Sequence, residues 1–258
     1  MNITPDIEMF DLALYTRATL IIADVHIGYE ESLNRQGVLV PRLQFEEMVR
    51  RMSLIFEELK GRIIERIVVN GDLKHEFGTI SEQEWRNTLK FMDLLAKHCN
   101  EIVLIKGNHD NILGPIAKKR NVKVLDYFIV EPMNEKPNNK NPLKKIKKSN
   151  KNKILILHGN KIPEKGMLKE VSTIIIGHEH PAVSLRDGPR VEKYKCYLQG
   201  KYKGKTLIVQ PSFNSIVEGT DLLKDQILSP FLKQNLDNFG VFIVEDKVYK
   251  FGKMKGLR

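Results

Sequence analysis

Five short apolar runs, each closed by a cluster of Asp, Asn or His, constrain this chain more than any other feature. The runs are Thr19-Leu20-Ile21-Ile22-Ala23, Arg66-Ile67-Val68-Val69-Asn70, Ile102-Val103-Leu104-Ile105, Ile154-Leu155-Ile156-Leu157 and Thr173-Ile174-Ile175-Ile176. They lead into Asp24-Val25-His26, Gly71-Asp72-Leu73-Lys74-His75, Gly107-Asn108-His109-Asp110, His158-Gly159 and Gly177-His178-Glu179-His180. Six of the seven histidines lie in these motifs. Runs so short, rich in β-branched residues and barely alternating, are expected to be strands buried on both faces. Sheets of α/β proteins place their sites at strand ends. Oxygen and imidazole donors gathered at five such ends point to a metal centre.

Asp24, His26, Asp72, Asn108, His158, His178 and His180 offer seven donors. That is more than one ion with open positions for water and substrate can use, whereas two ions sharing a bridging carboxylate use them all. The series of motifs resembles the calcineurin-like metallophosphoesterase superfamily, complete and in the family's order. The resemblance implies an α/β fold of two packed β-sheets flanked by helices, a four-layer sandwich. It implies that Asp24, His26, Asp72 and His180 hold a first ion. Asp72 then bridges to a second, completed by Asn108, His158 and His178. His109 takes the role of proton donor or charge stabiliser at the leaving oxygen, and His75 orients His109 or contacts the nucleotide. No thiolate joins the set, so Mn²⁺, Fe, Co²⁺, Ni²⁺ or Zn²⁺ is expected, with Mn²⁺ favoured partly from the family.

Shorter segments narrow the resemblance. The motif Gly71-Asp72-Leu73-Lys74-His75 ends in His, as in the SbcD-type repair nucleases. The stretch from His26-Ile27-Gly28-Tyr29 through Gly37-Val38-Leu39-Val40-Pro41, and later Gln210-Pro211-Ser212-Phe213-Asn214, are similar to archaeal SbcD-related and DNA-ligase-associated phosphoesterases. The implied activity is hydrolysis of phosphodiester bonds by a metal-activated water, with DNA, RNA or a nucleotide derivative as substrate. Two competing readings use the same fold. One is a small-molecule phosphatase or cyclic-nucleotide phosphodiesterase. The other is a non-catalytic scaffold, against which stands the complete ligand set.

A chain of 258 residues is long enough for one large α/β domain, expected here over residues 1–258 with a lysine-rich insertion at 132–153. No apolar run reaches the length of a membrane span, and residues 1–10 carry Asp6 and Glu8 rather than a basic segment leading an apolar one. Cys99 and Cys196 stand far apart and outside the motifs, which suggests reduced thiols and a cytoplasmic protein without membrane association. The net charge of +10 is local: residues 136–153 hold eight lysines and no acid. That stretch, with Pro137 and Pro142, is expected to be mobile. It is either a solvated loop or an arm that grips polyanions through counterion release.

Strands are expected over residues 7–15 and 18–23, and helices over 44–59, 81–98 and 112–120, the second with Ser81 and Glu84 at capping-box spacing. Alternation of strand and helix implies a largely parallel first sheet. Hairpins are expected around Lys203-Gly204 and Asp246, and a short helix broken at Pro230 within 219–239. His98 reads as a partner of a helix C-terminus and Glu179 as solvent-facing. Asp110 reads as a helix cap or an imidazole partner; Glu30, Asn214 and Trp85 read as structural. No aromatic series marks a base-stacking platform.

Overall fold

The computed structural model describes residues 1–76, 80–132 and 152–257, so most of the lysine-rich segment, whose mobility was an expectation, lies outside the described residues. The first sheet has seven strands in chain order: β1 (Asn2–Thr4), β2 (Ile7–Phe10), β3 (Ala13–Thr16), β4 (Thr19–Ala23), β5 (Arg66–Asn70), β6 (Glu101–Ile105) and β7 (Lys123–Leu125). The segment 7–15 is thus two strands, not one, folded back at Asp11, whose φ of 49° makes the turn. β1 to β4 form an antiparallel meander, and β4 to β7 run parallel.

The second sheet has nine strands, running in the order β14 (Thr220–Asp221), β11 (Pro181–Asp187), β12 (Arg190–Tyr202), β13 (Lys205–Val209), β10 (Thr173–Ile176), β9 (Ile154–Leu157) and β8 (Tyr127–Val130). The hairpin of β15 (Gly240–Val244) and β16 (Val248–Lys253) joins it through β12. The strands that feed the motifs, β9 and β10, lie parallel, with β13 parallel beside β10.

Side chains alternate across this sheet as a two-residue period requires. Ile154, Ile156 and Ile175 face the core shared with the first sheet, while Leu155, Leu157, Ile174 and Ile176 enter a second core. The second core is roofed by α5 (Lys165–Lys169) and by Leu222, Phe231, Leu232, Leu236 and Phe239. That roof contains no helix between residues 222 and 239, contrary to expectation. Leu232, Leu236 and Phe239 keep helical spacing, but Pro230 interrupts the segment.

Helices α2 (Gln44–Glu58), α3 (Glu82–Ala96) and α4 (Gly114–Arg120) flank the first sheet. Met48, Met52, Ile55 and Phe56 of α2 and Phe91, Met92 and Leu95 of α3 bury one face of each helix. Each such side chain contributes about 1.5–3 kcal/mol on burial. A further helix, α1 (Tyr29–Arg35), gave little apolar periodicity to read. The result is a mixed α/β fold of two sheets with flanking helices. Among the described residues no helix is long and apolar enough to cross a membrane.

Candidate metal centre

The parallel strands of both sheets end at one edge, and the motifs meet there. Several hydrogen bonds join the two sheets. His178 N donates to Asp24 Oδ2 at 2.9 Å, Ser212 Oγ donates to the Asp24 carbonyl at 2.8 Å, and Phe213 N donates to the Ala23 carbonyl at 2.8 Å. Within the first sheet His26 N donates to the Asp72 carbonyl at 2.8 Å.

Asp24, His26, Asp72, His178 and His180 all adopt left-handed backbone, with φ of 54°, 47°, 46°, 64° and 49°. Such conformations cost of order 1–3 kcal/mol each in non-glycine residues and concentrate at functional sites. Two motif glycines leave room for the donors. A Cβ on Gly107 would lie 2.0 Å from Asp72 Oδ1, and one on Gly71 would lie 2.0 Å from His158 Nδ1.

The donors form two groups. Ligand atoms of Asp24, His26 and His180 lie within 4.8 Å of one another, as do those of Asp72, His158 and His178. Asp72 Oδ2 sits between the groups, 3.7 Å from His26 Nε2 and 3.3 Å from His158 Nε2. Asn108 Oδ1 lies 2.9 Å from His158 Nε2, so it belongs with the second group. Ring nitrogens face each other at 3.3 Å between His26 and His180 and at 3.2 Å between His158 and His178. Among the described residues the buried Asp24 Oδ1 has no hydrogen-bond partner, with His180 Nε2 at 3.4 Å and His158 Nδ1 at 3.5 Å. Ring nitrogens and carboxylate oxygens converging this closely suit divalent cations.

Electrostatics keep two of the rings neutral and charge a third, which must lose its proton to ligate a metal. Burial and the neighbouring His180 hold the His26 imidazole well below its usual range, and burial with His158 holds His178 down at about 4. Both rings are therefore neutral near pH 7, the form that ligates metal. For His158, burial acts downward, but its hydrogen bond to Asp72 and the charges of Asp24 and Asp72 push it up to about 9. Burial likewise opposes ionisation of Asp72, yet His158 and His26 hold its carboxyl below the ordinary range.

His75 and His109 stand over the first group, and with His26 they form a third cluster of ring nitrogens. His109 N donates to Asp72 Oδ1 at 2.9 Å. Lys74 ties the two loops together. Its side chain is fully enclosed, and the ammonium donates to the carbonyls of His109, at 2.9 Å, and Glu76. This role went unread in the sequence; the signal was a lysine placed between Asp72 and His75 where every neighbour faces inward.

Asp110 neither caps α4 nor orients an imidazole. Its carboxylate accepts from Gly107 N at 3.0 Å and Leu73 N at 3.4 Å, and burial with the nearby Asp72 pushes it up to about 6. α4 starts instead after Leu113, with Pro115 in its first turn. Ser81 caps α3 by accepting from Glu84 N at 3.1 Å, but Glu84 turns away to accept from His75 N at 2.8 Å and Glu76 N at 3.0 Å.

Glu179 does not face solvent. It is 0 % exposed and accepts from Leu228 N and Ser229 N, anchoring the roof segment beneath His178 and His180. His98 follows α3 but stacks on Phe56 at 3.7 Å between ring centroids. Glu30 accepts from Gln44 N at 2.8 Å, and Asn214 Nδ2 donates to the His26 carbonyl at 3.2 Å; both brace loops. Trp85 packs against the core, and Cys99 and Cys196 are free thiols.

Two cavities open beside the centre. One, of 640 Å³, reaches Asn108 and His158, and another, of 430 Å³, reaches His180.

The chain resembles known proteins in both sequence and fold. Residues 18–200 match the model of the calcineurin-like phosphoesterase family. The crystal structure of the nuclease MPE of Pseudomonas putida is similar at a TM-score of 0.57 with 20% identity, over 93% of this chain and 92% of that one. Vacuolar protein sorting 29 of Cryptosporidium parvum aligns over 91% of this chain and 97% of its own, at 15% identity and a TM-score of 0.38. No curated protein sequence matches. The matched span runs from the strand before Asp24 to beyond His180, and the family it defines implies divalent metal ions; the chain belongs to the calcineurin-like phosphoesterases.

Proposed function

We propose that this protein is a two-metal phosphodiesterase acting on nucleic acid or nucleotides. Asp24, His26, Asp72 and His180 hold one ion, and Asp72, Asn108, His158 and His178 hold the other. The position of Asp72 Oδ2 between two compact donor groups carries this reading, because a carboxylate there serves both. Two divalent ions in such a site supply a water acidic enough to act near neutral pH and neutralise charge on the phosphoryl oxygens.

The chain's own residues do the rest. The left-handed donors are preorganised, so little reorganisation accompanies binding. His109 delivers a proton to the leaving oxygen, and His75 fixes the ring that does so. Mn²⁺ is the proposed metal, chosen partly from the family; the oxygen and imidazole set without thiolate also admits Fe, Co²⁺, Ni²⁺ or Zn²⁺. The motif Gly71-Asp72-Leu73-Lys74-His75 and the segment Gly37-Val38-Leu39-Val40-Pro41 support placement near the SbcD-related and DNA-ligase-associated branch. The shared fold with the Pseudomonas putida nuclease is in keeping with that placement.

The test is elemental analysis of the purified protein with a turnover panel: single-stranded DNA, duplex DNA, RNA, cyclic nucleotides and aryl phosphates. Two bound Mn²⁺ per chain with turnover of diesters above monoesters is the expected result. Turnover confined to phosphate monoesters, or a protein that binds no divalent metal, overturns it.

A further inference from the structure

We propose that the 640 Å³ cavity beside His158 is a subsite for a single nucleoside, with Tyr127 as its stacking face. The inference rests on the phosphodiesterase reading above and specifies what flanks the scissile phosphate. Its volume falls within the range of about 300–1,000 Å³ seen for small-molecule sites.

Sheet register places the tyrosine. Tyr127 pairs with Leu157, the residue before His158, so the aromatic ring and the ligand share one mouth. Asp126 alone separates β7, the edge of the first sheet, from β8, the edge of the second, so Tyr127 stands where the two sheets join. The side chain is 41% exposed, more than structural packing on the core requires.

The remaining walls suit a nucleoside. Ile162, itself 38% exposed, and Met167 extend the apolar surface, whereas Lys106 and Lys161 stand exposed at the rim. The apolar part of the lining, with one aromatic ring, takes a flat base, and the two lysines, beside the acids Asp126 and Glu164, take a neighbouring phosphate. Asn108 and His158 bound the inner end, so a base in the slot hangs from a phosphate held at the donor groups. Among the cavity's lining residues Tyr127 is the one Phe, Tyr or Trp, which means one base rather than a stacked strand.

Two esters with the same leaving group test this: thymidine 5′-(4-nitrophenyl) phosphate, and methyl 4-nitrophenyl phosphate, which lacks the nucleoside. The wild type is expected to favour the thymidine ester at least tenfold in kcat/KM. Tyr127→Ala should reduce that preference at least fivefold, Tyr127→Phe should keep it, and Lys161→Ala should reduce it less than Tyr127→Ala. A preference that is absent in the wild type, or equal in Tyr127→Ala and wild type, overturns the subsite. Should neither ester turn over, the phosphodiesterase reading fails, and calorimetric titration with thymidine 5′-monophosphate still decides the subsite. Binding weakened at least fivefold by Tyr127→Ala but not by Tyr127→Phe supports it; equal binding by all three proteins overturns it.

Discussion

His109 Nδ1 lies 2.6 Å from the carbonyl oxygen of His75. A carbonyl only accepts, so Nδ1 carries a hydrogen, which leaves the ring's other nitrogen for the proton transfer proposed above. His109→Ala is therefore expected to retain its metal by elemental analysis and to slow hydrolysis of a poor leaving group by about 10²-fold or more. The loss should shrink with 4-nitrophenol as leaving group, which needs little protonation. An undiminished rate with the poor leaving group removes His109 from the mechanism.

Asp72→Asn should lower metal content at both positions and abolish turnover, since its Oδ2 faces both donor groups. His26→Ala should mainly deplete one. Metal-to-protein ratios measured by mass spectrometry after desalting separate the two outcomes.

Lys74→Met removes the ammonium that donates to the Glu76 and His109 carbonyls and so helps tie the two loops together. Leaving a buried carbonyl unsatisfied costs about 1–3 kcal/mol, so urea unfolding should shift to lower midpoint. kcat should fall while KM and metal content hold, because His109 loses its orientation rather than the substrate its site. A variant that is destabilised yet turns over normally assigns Lys74 to the fold alone.

Burial, with the nearby Arg51, lowers the Lys195 ammonium to about 7 from its ordinary 10.5. Below about 7 both folded and unfolded chains hold this proton and the group adds no slope. Between about 7 and 10.5 the unfolded chain binds the proton and the folded chain does not, so this group makes stability rise with pH. Lys195→Met should flatten that rise in denaturation curves collected from pH 7 to 10.

Val130 and Ile154 pair across β8 and β9, so a short turn can replace residues 133–151 without disturbing the strand that leads to His158. That deletion is expected to weaken binding of single-stranded DNA and to flatten its dependence on salt, as fewer phosphates are neutralised. Unaltered affinity and salt slope would show that these lysines only solvate the chain.

The strands feeding the centre were legible because each is a β-branched run closed by a polar motif, a local signal. Helices α2 and α3 were legible from apolar periodicity. The groups that brace the site were not. Lys195 sits on β12 in an alternating stretch, Lys193-Tyr194-Lys195-Cys196, and only sheet register decides which lysine turns its ammonium to the Ser212 and Asn214 carbonyls. Glu179 reads as polar and exposed until residues 228 and 229, distant in sequence, bring their N–H groups to it. Tyr127 carried no motif at all; its place beside His158 comes from pairing with Leu157.

Each donor group draws on both sheets. Asp24 and His26 follow β4 in one sheet while His180 follows β10 in the other, and Asp72 follows β5 while His158 and His178 follow β9 and β10. Neither half of the chain carries either of these two Asp-containing groups complete, so the centre is a seam stitched from both sides. Anything that fills it is linked to closure of the whole sandwich, and its affinity adds directly to the stability of the closed form. Separating the layers dismantles both groups at once, which makes occupancy a readout of the fold's integrity and leaves no half of the molecule able to hold a metal in this way by itself.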